Sequence, residues 1–218
     1  MKNADIQSVK ISKRGFTLIE LVIVIGILAI LATVVVLVLN PAQLLAQARD
    51  SQRISDLTSV KSAIALYMAT ANSPALTAST TCTVIATTCN GNSNPFAGGT
   101  ITYTSSTDTG VLGAYGSGWV GGVKFADTAG GSALSALPLD PLNSVVGTDY
   151  YYAYRGDSSD NTFKLMGRLE SLKYKDKMKT DGGTNPRAST PTPCSTYVED
   201  SVSGVDGCYY EIGTKMSL

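Results

Sequence analysis

The 218-residue sequence has no histidine, only four cysteines, and no excess of either charge, its 17 basic side chains matching 17 acidic ones. Without histidine there can be no Ser-His-Asp or Cys-His catalytic arrangement, and no histidine-ligated metal. A formal net charge of zero leaves no bulk field to draw the chain to nucleic acid or to any strongly charged partner. No Cys-x-x-Cys pair occurs, so the usual zinc spacing is missing. The glycines between Gly113 and Gly122 are followed by no Lys-Ser/Thr pair and open no helix, so they do not form a phosphate loop. The expectation from these absences is a protein that is not an enzyme and holds no cofactor.

What the sequence does have is one long apolar run, Leu21 to Leu39, with the single acid Glu20 at its start. A segment of about 20 apolar residues can cross a bilayer as a helix. It is apolar on every face, which suits surroundings of lipid or of other apolar helices. Gly26, Ala29 and Ala32 would let a neighbouring helix come close. A carboxylate inside such a segment costs on the order of 2.5–3.5 kcal/mol unless something neutralises it. Glu20 also complements the positive end of a helix dipole, and any signal anchor places positive charge before apolar residues. A secretory signal fits less well, because its apolar core is about 7–15 residues long, whereas this run continues to Asn40-Pro41. Lys2, Lys10, Lys13 and Arg14 precede the run against the single acid Asp5. That bias keeps the N-terminus cytoplasmic and sends the rest of the chain outside.

Cys82, Cys89, Cys194 and Cys208 all follow the run and so face an oxidising space, where an even count reads as disulfides. Four cysteines allow three connectivities. Sequence neighbours suggest Cys82 with Cys89 and Cys194 with Cys208, each pair closing a short loop.

Along the chain, residues 1–15 form a leader with too little apolar content to fold. A helix is expected from about Phe16 to about Ala71, wholly apolar to residue 39, with a kink or local melting at Asn40-Pro41. Beyond the proline it turns amphipathic, with Leu57, Val60, Ile64 and Tyr67 at helical spacing among Arg49, Asp50, Arg53, Asp56 and Lys61. Asn72-Ser73-Pro74 ends it. Residues 72–218 then form one extracytoplasmic domain. Cys82 to Ile85 reads as extended or as the start of a short helix, Ile101 to Thr104 as a strand, and Trp119 to Phe125 as an irregular strand interrupted by Gly121-Gly122. After the turn Leu137-Pro138-Leu139-Asp140-Pro141 come Tyr150–Tyr154 and Phe163–Leu169, two strands of a hairpin around a polar loop. Lys173, Lys175, Lys177 and Lys179 read as a solvated face, and Cys208 to Ile212 as an edge strand.

The basic leader, Gly15, Phe16 and the sequence Thr17-Leu18-Ile19-Glu20 before the apolar run resemble the prepilin signature of type IV pilins and of the pseudopilins of type II secretion. The resemblance implies that Gly15 is the cleavage-site glycine and that Phe16 becomes an N-methylated terminus. It implies that Glu20 pairs with the Phe16 amine of a neighbouring subunit during assembly. The Leu-Pro-x-Asp-Pro turn and Tyr-rich hairpin more loosely resemble the C-terminal sheet of major pseudopilins. The implied fold is α+β and type IV pilin-like: a long N-terminal helix, first transmembrane and then amphipathic, packed on a C-terminal antiparallel sheet.

Major pseudopilins bind calcium in a loop of this region, which makes Asp157, Asp160 and Asn161 candidate ligands. The spacing does not match an EF-hand, and the same residue types suit a tight turn. The implied function is a structural subunit of a helical homo-oligomeric filament. Implied partners are a prepilin peptidase, a membrane platform protein and a motor ATPase. Before assembly the subunit is a single-pass membrane protein, and afterwards it is part of an extracellular or periplasmic pilus. The alternatives are a secretion pseudopilus and a monomeric membrane-anchored binding domain.

Overall fold

A computed structural model of the chain describes residues 15–74, 76, 80–84, 101–105, 118–125, 128–143, 150–174, 176–181, 209–215 and 218. The chain divides into two compact units, Met1–Leu44 and Leu45–Leu218.

The first unit is dominated by helix α1, Leu18–Leu39, capped at its N-terminus by Thr17. The helix expected from about Phe16 to about Ala71, with a kink or local melting at Asn40-Pro41, is two helices, α1 and α2 (Pro41–Thr70), separated by Asn40. The reason is local. A proline disfavours the right-handed helical conformation for the residue before it, and asparagine tolerates the left-handed one. Asn40 has φ 40°. Its carbonyl accepts from the Gln43 and Leu44 amides, so it caps the end of α1 and starts α2 together. Pro41 occupies the first position of α2, where a missing N–H costs nothing.

In the second unit, α2 buries Ala46, Asp50, Arg53, Leu57, Val60, Ala63, Ile64 and Tyr67. Apart from Ala63 these recur at alternating steps of four and three, the spacing of one helix face. The apolar part of that face packs on Tyr152, Tyr154, Phe163, Leu165 and Ile212, with Trp119, Phe125 and Leu137 in the same core. Each such aliphatic or aromatic side chain contributes roughly 1.5–3 kcal/mol on burial.

The sheet has five strands, β1 (Thr80–Val84), β2 (Ile101–Ser105), β3 (Tyr152–Asp157), β4 (Thr162–Gly167) and β5 (Tyr210–Gly213), in the order β2-β1-β3-β4-β5. Four are antiparallel neighbours, as expected, whereas β2 lies parallel to β1 at the edge. Cys82 therefore sits in a strand and not in a helix. The hairpin is present but shifted toward its loop: β3 starts at Tyr152 and reaches Asp157, leaving Tyr150 and Tyr151 outside. Trp119–Phe125 forms turns, with Gly122 at φ 77°, in place of a strand. The tail does add strand β5 against β4.

Both faces of the sheet are buried. Opposite the α2 face lie Cys82, Tyr151, Ala153, Met166 and Tyr209. Because neighbouring residues of a strand face opposite ways, a run such as Tyr151-Tyr152-Ala153-Tyr154 serves two cores at once. A short helix, α3 (Lys177–Thr180), packs Met178 against Leu169.

Candidate assembly site and the polar network of the domain

The residues that the sequence singled out for processing and assembly lie together at the start of α1. Thr17 and Glu20 form a capping box. The Glu20 carboxylate accepts from the Thr17 amide at 3.1 Å and from the Thr17 hydroxyl at 3.0 Å, while the Glu20 amide donates to the Thr17 hydroxyl oxygen at 3.3 Å. Within one copy, Glu20 thus has its own helix terminus as partner, one residue from Phe16. Phe16 is 86% exposed and Gly15 is exposed beside it, leaving the Gly15–Phe16 bond accessible.

Behind this cap, the span Leu18–Val36 has a mean hydropathy of 3.0, with none of it buried inside the chain. At about 1.5 Å per residue its 19 residues extend about 28 Å, close to a hydrocarbon core of about 30 Å. Large apolar side chains are exposed all around it, Leu18, Ile23, Ile30 and Val38 among them. Water would not tolerate such a surface on a monomer. α1 therefore requires lipid or other apolar helices around it.

The second unit contains a polar network built on Arg49, Asp50 and Arg53, charged residues that lie among the apolar positions of α2. Arg53 is fully buried. Its Nε and Nη2 donate to the two oxygens of Asp140 at 2.6 and 3.0 Å, and its Nη1 donates to Asp50 at 2.8 Å and to Glu170 at 2.7 Å. Arg49 donates through Nε and Nη2 to Glu170 at 2.6 and 2.9 Å. Asp50 accepts from the backbone amides of Glu170 and Ser171, and Asp140 from that of Leu142. The Arg53 guanidinium also lies 4.6 Å from the centre of the Tyr150 ring. A buried guanidinium is tolerable only when its donors are met, and here the fork geometry of arginine meets a carboxylate bidentately. The network ties α2 to the 137–141 turn and to the chain leaving β4.

The electrostatics follow from these contacts. Burial works against the charge on Arg53, but its bonds to Asp140, Glu170 and Asp50 override this and hold the guanidinium above its ordinary range. Burial likewise opposes ionisation of Glu170, and the bonds from Arg49 and Arg53 outweigh it, so its carboxyl lies below its ordinary value. Asp56 moves the other way, raised by burial against the hydrogen bond it accepts from the Tyr152 hydroxyl at 2.9 Å. Tyr152 is itself raised by burial and by the neighbouring Asp140 and Asp56.

The three candidate calcium ligands all have partners within the chain. Asp160 lies 2.7 Å and Asp157 3.5 Å from the ammonium of Lys215, so these two share a cation supplied by the chain. Asp157 also accepts from the hydroxyl and amide of Ser159, which hold its carboxyl below its usual value. Asn161, at φ 51°, accepts from the Leu76 amide at 3.3 Å. Among the described residues no group of three His, Cys, Asp or Glu is placed to hold a metal ion. Cys82 is disulfide-bonded and fully buried. Cys89, Cys194 and Cys208 lie outside the described residues.

Residues 10–36 match the family described as the prokaryotic N-terminal methylation motif, the signature of type IV pilins and pseudopilins. No curated protein and no solved structure matches the chain.

Proposed function

From that motif as premise, we infer that the chain is a structural subunit of a type IV pilus-like filament, cut between Gly15 and Phe16 by a prepilin peptidase and methylated on Phe16. The observation that carries the reading is the motif joined to α1, a helix of membrane-spanning length with apolar side chains exposed on all sides. Before assembly α1 anchors the subunit in the membrane, with the second unit outside. A platform protein and a motor ATPase then move it into the filament, where the helices of many copies replace lipid around one another. Association is heterologous, one surface meeting a different surface on the next copy, so the assembly extends without closing.

Glu20 provides the register. Cleavage turns the Phe16 nitrogen into an amine next to the capping box. In low-dielectric surroundings a carboxylate gains more from an amine of the next copy than it would in water, and is costly when left unpaired. The Glu20→Ala variant is expected to be processed and inserted normally yet to yield no sheared filaments. Filament formation at wild-type levels by that variant would refute the assembly role, and an intact leader on the mature protein would refute processing. A secretion pseudopilus is the second reading, favoured by the Leu137-Pro138-Leu139-Asp140-Pro141 turn leading into the Tyr-rich hairpin.

A further inference from the structure

Lys164 on β4 and Glu211 on β5 are charged residues held in the interior of the second unit. In β4 the flanking Phe163 and Leu165 face α2, so Lys164 points to the opposite face of the sheet, on the side of Met166. In β5 Glu211 lies between Tyr210 and Ile212, which pack toward α2, and shares its own side with Tyr209. Lys164 is opposite Gly213 and Glu211 opposite Met166, so the two are diagonal neighbours on one face, within reach of long side chains. Both side chains are fully buried, and the Lys164 ammonium lies 3.4 Å from Glu211 Oε1. The Glu211 amide donates to Asp181 at 2.7 Å, which fixes the backbone of β5 at this point.

This contact is long for a buried ion pair, which offsets its desolvation only with close geometry. Charge-assisted N–H···O bonds are ordinarily about 2.7–2.9 Å, and Arg53 meets Asp140 bidentately at 2.6 and 3.0 Å. Arginine also keeps its proton on burial, whereas lysine gives one up. Burial pushes the Lys164 ammonium below its ordinary value, Arg155 on β3 acts the same way, and Glu211 and Asp181 do not restore it. Passing that proton to Glu211 leaves a neutral amine beside a neutral carboxylic acid, the form an apolar interior favours. We propose that Lys164 and Glu211 are joined by an amide bond, an isopeptide cross-link between β4 and β5 made after the domain has folded. The neutral Lys164 Nζ attacks Glu211 Cδ, a C–N bond forms, a C–O bond breaks, and the hydroxyl leaves with a second proton from Nζ as water. No oxidant or co-reactant is consumed. Holding two reacting groups together is equivalent to an effective concentration of up to about 10⁵–10⁸ M, and a dry site disfavours the reverse hydrolysis. The bond would tie down β5, a strand near the end of the chain that could otherwise fray. The proposal goes beyond the filament reading and does not depend on it.

The test is mass spectrometry of tryptic peptides from the full wild-type chain, reduced and alkylated first so that disulfides join nothing. Trypsin does not cleave after an acylated lysine. The expected product is therefore residues 156–168, uncut after Lys164, joined to residues 188–215 and one water lighter than the two peptides together. Fragmentation should place the bond at Glu211, and the peptide ending at Lys164 should be absent. Lys215 is the internal control, because its ammonium is closer to an acid, 2.7 Å from Asp160, but in solvent; cleavage after it should be complete. Lys164→Met, which keeps a long side chain without the nucleophile, should abolish the branched peptide. Cleavage after Lys164 with no branched peptide in the wild type overturns the proposal and leaves an ion pair only, whether or not the variant folds. A branch at another acid, a branch at Lys215, or a branch that persists in Lys164→Met overturns it also.

Discussion

Replacing Arg53 by alanine tests the energetic centre of the domain. The substitution removes four charge-assisted hydrogen bonds and leaves Asp50, Asp140 and Glu170 facing one another without the guanidinium between them. Counted singly at about 1.5–3 kcal/mol, those bonds would sum beyond the whole stability of many domains, which shows that they cannot be additive. The remaining partners limit the damage. Asp140 keeps the Leu142 amide, Asp50 keeps the amides of Glu170 and Ser171, and Glu170 keeps Arg49. The expected loss is that of breaking a buried ion pair from one side, about 3–5 kcal/mol. For a unit of this size that lowers the melting temperature by about 6–20 °C.

The assay is built into the chain. Trp119 is the single tryptophan, fully buried, and its indole donates to the Pro138 carbonyl at 2.9 Å, beside the turn that Asp140 belongs to. Its emission therefore follows release of the 137–141 turn. With Arg53 gone, the Glu170 carboxyl loses one of the bonds that hold it below its ordinary value and should take up a proton more readily, so the gap between wild type and variant narrows on acidification. A loss below about 1 kcal/mol, or a gap that does not change with pH, would show that the network is not what ties α2 to the turn.

Further outcomes are expected from the same geometry. Glu170 has its folded-state value held below the ordinary 4.5, so its contribution is present above that pH and lost as pH falls through the lower folded value. Melting temperature should therefore drop on acidification below 4.5, and less steeply in Glu170→Gln; equal slopes in a pH series would refute this. Gly213 sits where a Cβ would overlap the Phe163 carbonyl oxygen and lie 2.9 Å from the Lys164 Cα. Gly213→Ala should displace β5 from β4, cost about 1–3 kcal/mol, and speed amide exchange at Thr214, which donates to Phe163. For the disulfides, Cys82 is bonded and Cys89 is its nearest cysteine in sequence. Peptide mapping under non-reducing conditions should recover Cys82 joined to Cys89, and a peptide joining Cys82 to Cys194 or to Cys208 would refute that pairing.

The legibility of the sequence differed between the two units. α1 could be read directly because nothing tertiary decides it: a run that is apolar on all sides and begins with Gly15-Phe16 and Glu20 carries its environment in its composition. Thr17 as partner of Glu20 was missed, although Thr-x-x-Glu is a recognisable capping pattern. In α2 the positions of Asp50 and Arg53 continue the four-three spacing of Ala46, Leu57, Val60, Ile64 and Tyr67. Their charge gives no sign of burial, whereas their register fits it.

Sequence alone determined the apolar helix, its processing signature, the break at Asn40-Pro41 and the hairpin with its edge strand, because each depends on local composition, proline geometry or period. Only the tertiary structure decided that Arg53 is buried, that β2 runs parallel to β1, that both faces of the sheet are covered, and that Lys215 lies against Asp157 and Asp160. Those features join residues far apart in the chain. A charged side chain leaves water only when distant partners are brought to it, and no local pattern records where they will be.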